Sequence, residues 1–329
     1  MEEIRLAGIT SLHADILETH ILTRLDGPSL ASLSCTSTTL NSLASQSHLW
    51  SHLLQSTWPS TATSPLLRHL IPDGGPRSFF SLCYSLPPSI TTTSTNTFII
   101  RTPSPIEQLI SAVDIHFHND NIFSKVQETE TVSGWFKSSP FRIDLLDPKE
   151  TITTRIPHVD DDDTCDNFLA NMTLSWILID PTRPSVMNMS SFSPVSATRH
   201  WLSKEVQVRF ETVLESRNEM VQCEIVVTCG GSENGEMQVW EVSLEMEDME
   251  GMHLNGKDSM VILESVINMN GKRKGKGREE EAKRKYREYV EKKKERREKK
   301  IKREGILDML SIAFAAGSLV FAAFWFFLF

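Results

Sequence analysis

Between positions 12 and 54 the chain reads LHADILETHILTRLDGPSLASLSCTSTTLNSLASQSHLWSHLL, and this run constrains everything after it. It carries more large apolar side chains than a unit of about 40 residues can hide, because so small a unit buries too little of its own surface. The spacing predicts a helix over 15–25, with Leu17, Ile21 and Leu25 at i, i+4 and i+8 and with Ile16 and Leu22 widening the stripe. Asp26-Gly27-Pro28 stops it. Proline is tolerated in a first helical turn, where its missing N–H has no partner to lose, so a second helix is expected there, carrying Leu30, Leu33 and Leu40. Ser45-Gln46-Ser47 breaks that helix, and a third holds Leu49, Trp50, Leu53 and Leu54, with Trp58 just beyond. Some of this apolar face needs a partner.

These residues resemble the F-box family. Its pattern runs from leucine-proline through a variable pair to a leucine- or isoleucine-rich helix ending in Arg-Leu, then a Pro-Ser-Leu turn, a Cys-containing helix and a closing Leu-Trp. Here those are Leu12, Asp15-Ile16-Leu17, Ile21-Leu22, Arg24-Leu25, Pro28-Ser29-Leu30, Cys35 and Leu49-Trp50. His13 stands where the family usually has proline, and Leu40 about where a tryptophan is common; the apolar spacing is kept. The resemblance implies that Leu12, Ile16, Leu17, Ile21, Leu22, Leu25, Pro28, Leu30, Leu33, Leu49 and Trp50 supply the face and core that dock a Skp-type adaptor, itself bound to a cullin. The chain would then be the non-catalytic substrate receptor of an SCF-type ubiquitin ligase, its target held by the domain that follows. The region from Leu174-Ser175-Trp176 to Ile267 also looks like the C-terminal region of a group of plant F-box proteins.

From Phe98 to about Ile267 the pattern changes to period two, which means strands. They are expected at 98–100, 113–117, 141–146, 173–180, 206–214, 221–229, 237–246 and 260–267. Over 206–214, Val206, Val208, Phe210 and Leu214 face one way and Gln207, Arg209 and Glu211 the other. The strands at 221–229 and 237–246 flank a Gly-rich connection and are expected to form a hairpin, on whose second arm Trp240, Val242, Leu244 and Met246 share a face. Several strands with few helical patterns favour an antiparallel sandwich of roughly 170 residues. The expected fold class is α+β: a three-helix F-box at 8–58, a linker with short helices at 59–97, a β-rich target-binding domain at 98–270, a basic charged stalk at 271–305 and a transmembrane helix at 306–329.

Charge separates the last two segments from the body. Residues 272–303 hold 18 Lys and Arg against 7 Glu, while 1–271 hold 16 basic against 34 acidic residues. An acidic body does not bind nucleic acid by bulk charge, so any such binding would fall to the basic segment. That segment favours helix from about Glu279, with Glu288 and Lys292 in attractive and Glu291 and Glu295 in repulsive i, i+4 spacing and no apolar stripe. Positions 309–329, MLSIAFAAGSLVFAAFWFFLF, are 21 uncharged residues. As a helix they would span about 31 Å, close to the hydrocarbon core of a bilayer at roughly 30 Å. A tail anchor through Met309, Leu319, Phe324, Trp325 and Phe329 is therefore expected. The basic flank would leave 1–305 cytosolic, with the endoplasmic reticulum as the first membrane to consider. An alternative from another class is a membrane-tethered scaffold or lipid-binding protein with no ligase attached.

Catalytic and cofactor patterns are sparse. Five cysteines, Cys35, Cys83, Cys165, Cys223 and Cys229, include no CxxC pair and suit a reducing compartment. The start, MEEIRLAG, lacks the apolar run of a signal peptide. Asp160-Asp161-Asp162-Asp163 with Asp166 lacks the glycine and distal glutamate of a calcium loop, and reads as a solvated acidic loop. His116 and His118 have ligand-like spacing without a third partner, and Cys223 and Cys229 alternate with Ile225 and Val227 on one strand face as core. No nucleophile elbow, phosphate-cradling loop or nucleotide fingerprint occurs, so no enzyme and no cofactor or metal is expected. The sequons at Asn171 and Asn188 are expected to stay unglycosylated.

Overall fold

A computed structural model describes residues 13–65, 67, 71, 75–85, 106–157, 163–182, 185–216, 219–232, 235–267 and 278–328. Leu12, the strand expected at 98–100, Asp160, Asp161 and Asp162 of the acidic run, and Phe329 lie outside the described residues.

The helical module begins with mixed winding. Ala14–Ile16 is α-helical, Leu17–Ile21 is a π-turn and Leu22–Arg24 closes as 3₁₀. The Leu22 N–H donates to the carbonyl of Leu17, five residues back, so Leu22 stacks over Leu17 and both are buried. An α-helical stripe would have put Ile21 there; Ile21 and Ile16 face outward instead. Asp26 caps α1 (Gly27–Ser34), its carboxylate accepting from the Ser29 N–H at 2.9 Å, with Pro28 in the first turn. The expected second helix is two helices. Ser37 Oγ accepts from the Leu40 N–H at 3.2 Å and starts α2 (Thr38–Ala44), so a capping serine divides the run. α3 (Ser47–Thr57) buries Leu49, Trp50 and Leu54.

α4 (Gly75–Tyr84) packs back on the module and places Phe80 at its centre. The Phe80 ring lies 5.5 Å from Trp50, 5.0 Å from Trp58 and 5.7 Å from Tyr84, centroid to centroid. A Cβ on Gly27 would stand 2.1 Å from Phe80 Cε1, so the close approach of α1 to α4 needs glycine at that position.

Two antiparallel sheets form the expected sandwich. The first has the order β2-β1-β5-β6, from β1 (Gln108–Phe117), β2 (Asp120–Glu130), β5 (Met172–Asp180) and β6 (Ser185–Asn188). The second has the order β3-β10-β9-β8-β7, from β3 (Arg142–Asp144), β7 (Ser196–Arg199), β8 (Val206–Ser216), β9 (Glu219–Gly231) and β10 (Glu236–Glu247); β4 (Ile152–Pro157) also pairs with β10. Between the sheets lie Leu109, Val113, Ile115 and Phe117 of β1, Leu174, Trp176 and Leu178 of β5, the four expected residues of β8, and Cys223, Ile225, Val227 and Cys229 of β9. β9 and β10 make the expected hairpin.

Two expectations in this region fail. A bulge between Val239 and Glu241 shifts the phase of β10: Met237 and Val239, then Val242, Leu244 and Met246, face inward. Trp240 drops out of that set and packs on Gly230, where a Cβ would meet its ring at 2.6 Å. The strand expected at 260–267 is helix, α6 (Gly256–Ile267). Asn255 Oδ1 accepts from the Asp258 N–H at 2.8 Å, and the helix buries Met260, Leu263, Val266 and Ile267 at helical spacing. β2, β4, β6, β7 and α5 (Thr164–Asn171) were not foreseen.

The outer face of the first sheet is the floor of the helical module. Ile110 and Ala112 of β1, Ile177 and Ile179 of β5 and Val186 of β6 share one core with Leu22, Leu30, Trp50, Trp58 and Phe80. β1 and β5 are therefore buried on both faces, which is why their burial is almost continuous.

The basic run is helical from Arg278 and continues unbroken as α7 (Arg278–Leu328). The expected membrane anchor is overturned: among the described residues no helix is long and apolar enough to cross a membrane. The uncharged run from Met309 forms the last part of α7, as far as Leu328. Met309, Leu319 and Trp325 are exposed along it, and the side chain of Phe324 lies outside the description. The single-pass topology, the cytosolic assignment of 1–305 and the endoplasmic reticulum location fall with the anchor. Nearer its start α7 packs on the second sheet, where Tyr289 is buried against Val213, Met220 and Met249 with Tyr286 beside it.

Candidate adaptor-binding site

The residues expected to dock an adaptor separate into a frame and a face. Leu17, Leu22, Leu30, Leu49 and Trp50 are the frame: all five are buried, and Leu22, Leu30, Leu49 and Trp50 lie in the core shared with the first sheet. Trp50 satisfies its indole inside that core by donating to the Ala44 carbonyl at 2.7 Å. Ile16 and Ile21 are the face, 47% and 37% exposed, and Leu25, Pro28 and Leu33 are half-buried. Glu18 fixes the orientation of this flank: it accepts from Gln46 Nε2 at 3.1 Å and lies 3.0 Å from His48 Nε2, which ties the opening turns to the start of α3.

Sequence reasoning missed the joint beneath the module. Trp58 Nε1 donates to Ser175 Oγ of β5 at 2.9 Å. Asp114 of β1, fully buried, accepts from the Ser60 N–H at 2.9 Å, from Ser60 Oγ at 2.5 Å and from Ser124 Oγ at 2.7 Å. Burial raises the Asp114 carboxyl to about 6 against the lowering effect of those hydrogen bonds. A charged residue within an apolar strand run was the available signal; its partners come from 54 and 10 residues away and carry no local pattern.

The other candidates take structural places. His116 lies in β1, its imidazole pushed below the ordinary histidine range by burial, while His118 is in the following turn with φ 50°. Among the described residues no group of three or more His, Cys, Asp or Glu could hold a metal ion. Cys223 and Cys229 are core, and burial pushes the Cys229 thiol up to about 12 and Cys223 higher still, far from the thiolate a nucleophile needs. Asn188 is fully buried, its Oδ1 accepting from the N–H groups of Trp176 and Ser190, which closes its sequon to modification in the folded chain.

An outward apolar flank on a small helical module, rigidly seated on a sandwich, is the form of a protein that docks other proteins. The F-box domain model matches residues 17–52, which begin at the buried Leu17 and end within α3. The Arabidopsis thaliana protein described as "Probable F-box protein At2g36090" is 48% identical over 309 residues, 93% of this chain and 89% of its own. F-box protein At2g27310 of the same plant is 40% identical over 98% of this chain and 96% of its own length, and F-box protein At3g44326 is 42% identical over 90% and 84%. The chain belongs to the F-box protein family. No solved structure matches it.

Proposed function

We propose that this chain is the substrate receptor of an SCF-type ubiquitin ligase, binding a Skp-type adaptor, and through it a cullin, with the F-box module and a target protein with the sandwich. The observation that carries the reading is the exposure of Ile16 and Ile21 on the flank of a matched F-box whose other large apolar residues are buried or half-buried. Association would proceed by apolar burial, which contributes about 1.5–3 kcal/mol for each large side chain fully covered. Transfer chemistry belongs to other subunits. The receptor contributes proximity, holding the target at high effective concentration beside the transfer machinery.

The test is capture of a purified Skp-type adaptor by the full chain. Ile16→Asp combined with Ile21→Asp is expected to weaken capture at least tenfold with an unchanged melting temperature, since both side chains point to solvent. Leu22→Asp is unsuitable because it would place a charge in the core. Wild-type chain that fails to capture the adaptor, or a double variant that captures it fully, would overturn the reading.

A further inference from the structure

The outer face of the second sheet is built against ordinary practice. Glu211 of β8, Glu224 of β9 and Glu245 of β10 stand directly opposite one another across three strands, and Glu247 lies opposite Gln222 in the next row. Like charges in direct cross-strand register repel, so such a row favours a positive group placed over it. Arg209 Nη1 stands 2.8 Å from Glu224 Oε1, and Arg142 pairs with Glu241 and Glu245, yet the acids still outnumber the bases fixed on the sheet. Glu224 is 9% exposed, so its charge is largely removed from solvent beside Arg209.

Part of the missing cover is α7. Lys293 Nζ reaches Gln222 Oε1 and Glu247 Oε2, each at 3.4 Å; Tyr289 donates to the Asp248 carbonyl at 3.0 Å; Lys300 lies 3.8 Å from Glu250. The cover is incomplete and uncomfortable. Beneath it Glu211 is pushed up to about 7, first by burial and then by the Glu224 charge. Past the helix Glu241 and Glu245 run on toward β3, where among the described residues Arg142 and His253 are the basic groups paired with them. Docking through two tyrosines and a few lysines of a 51-residue helix is a contact that can be exchanged.

We propose that this glutamate-lined face is the surface that holds the target protein, through a lysine-rich helix bearing tyrosines, and that α7 occupies it in cis as a removable strap. The proposal rests on the receptor reading for its view of the sandwich as the target-binding domain. The partner chemistry is set by charge complementarity and by the template that α7 supplies: Tyr at i and i+3 to fill the apolar spot of Val213, Met220 and Met249, and Lys at i+7 to meet Glu247.

The probe is a fluorescein-labelled peptide of residues 278–300, measured by fluorescence anisotropy against the full chain. Opening the strap with Tyr286→Ala and Tyr289→Ala is expected to tighten peptide binding at least tenfold over wild type, because the cis competitor is released. Adding Glu211→Lys and Glu247→Lys is expected to reverse that gain, and a scrambled peptide of equal charge is expected to bind at least tenfold more weakly. Lys293→Glu opens the strap without altering the apolar spot, and serves if the tyrosine variant melts early. Equal binding to opened and wild-type chains, no binding to any opened chain, or equal binding of the scrambled peptide overturns the proposal. Adaptor capture on the same proteins reports the receptor reading separately: failure of capture with peptide exchange intact would overturn the receptor role and leave the peptide-binding surface standing.

Discussion

Asp114 shows how one residue sets a condition on the whole assembly. Its carboxyl titrates near 6 in the folded chain against an ordinary 3.8, so the folded state binds its proton more tightly than the unfolded state does. Stability from this group therefore rises as pH falls through 6 toward 4, and the ionised group costs up to about 3 kcal/mol at higher pH. Between pH 8 and pH 5, wild type is expected to gain about 1–2 kcal/mol relative to Asp114→Asn, read from urea melts at the two pH values. Equal pH dependence in the two proteins would show that the carboxyl is not held out of its ordinary range. Ser60→Ala, which removes one of the hydrogen bonds that lower this carboxyl, is expected to move the same transition to higher pH.

At the scale of elements, the sequence was most readable where one period governed a long strand. β8, β9 and most of β10 follow alternation, because one face is core and the other is not. It was least readable where the local winding changed. The π-turn at Leu17–Ile21 exchanges Ile21 for Leu22 in the buried line, and the bulge in β10 exchanges Trp240 for Val239; neither leaves a mark in residue type. For α6 the period-two pattern suggested a strand over 260–267, and the cap at Asn255 decided otherwise. β2 was invisible because, as an edge strand of its sheet, it mixes polar and apolar residues on both sides. Among the candidate site residues, type alone could not separate face from frame, since leucine and isoleucine serve both. The approach of α1 to α4 gives a prediction of its own. Gly27→Ala is expected to destabilise the chain by about 1–3 kcal/mol through the clash with Phe80, and Phe80→Leu in the same chain to recover part of it, as measured by thermal or urea denaturation.

For the whole molecule, the main result is that module and sandwich share a core, which the division into consecutive segments did not anticipate. Ile177 of β5 lies in that shared cluster with Trp50 and Trp58. Ile177→Ala is expected to cost about 2–5 kcal/mol, and hydrogen exchange should quicken in α3 and β5 together. Faster exchange in β5 alone would show that the two parts open separately. The reading of 309–329 as an anchor failed at this same scale, since among the described residues no helix is long and apolar enough to cross a membrane. The joint of Trp58 with Ser175 and Ser60 with Asp114 has a further consequence for how a ligase built on this chain would choose lysines. A receptor whose two halves are tethered by slack chain lets its cargo wander, and many lysines take their turn near the transfer centre. Among the described residues these contacts tie the module to the sandwich, so if a target is held as proposed, the arc it sweeps would be set by its own loose segments, and the choice of modified lysine would become a property of the cargo's shape.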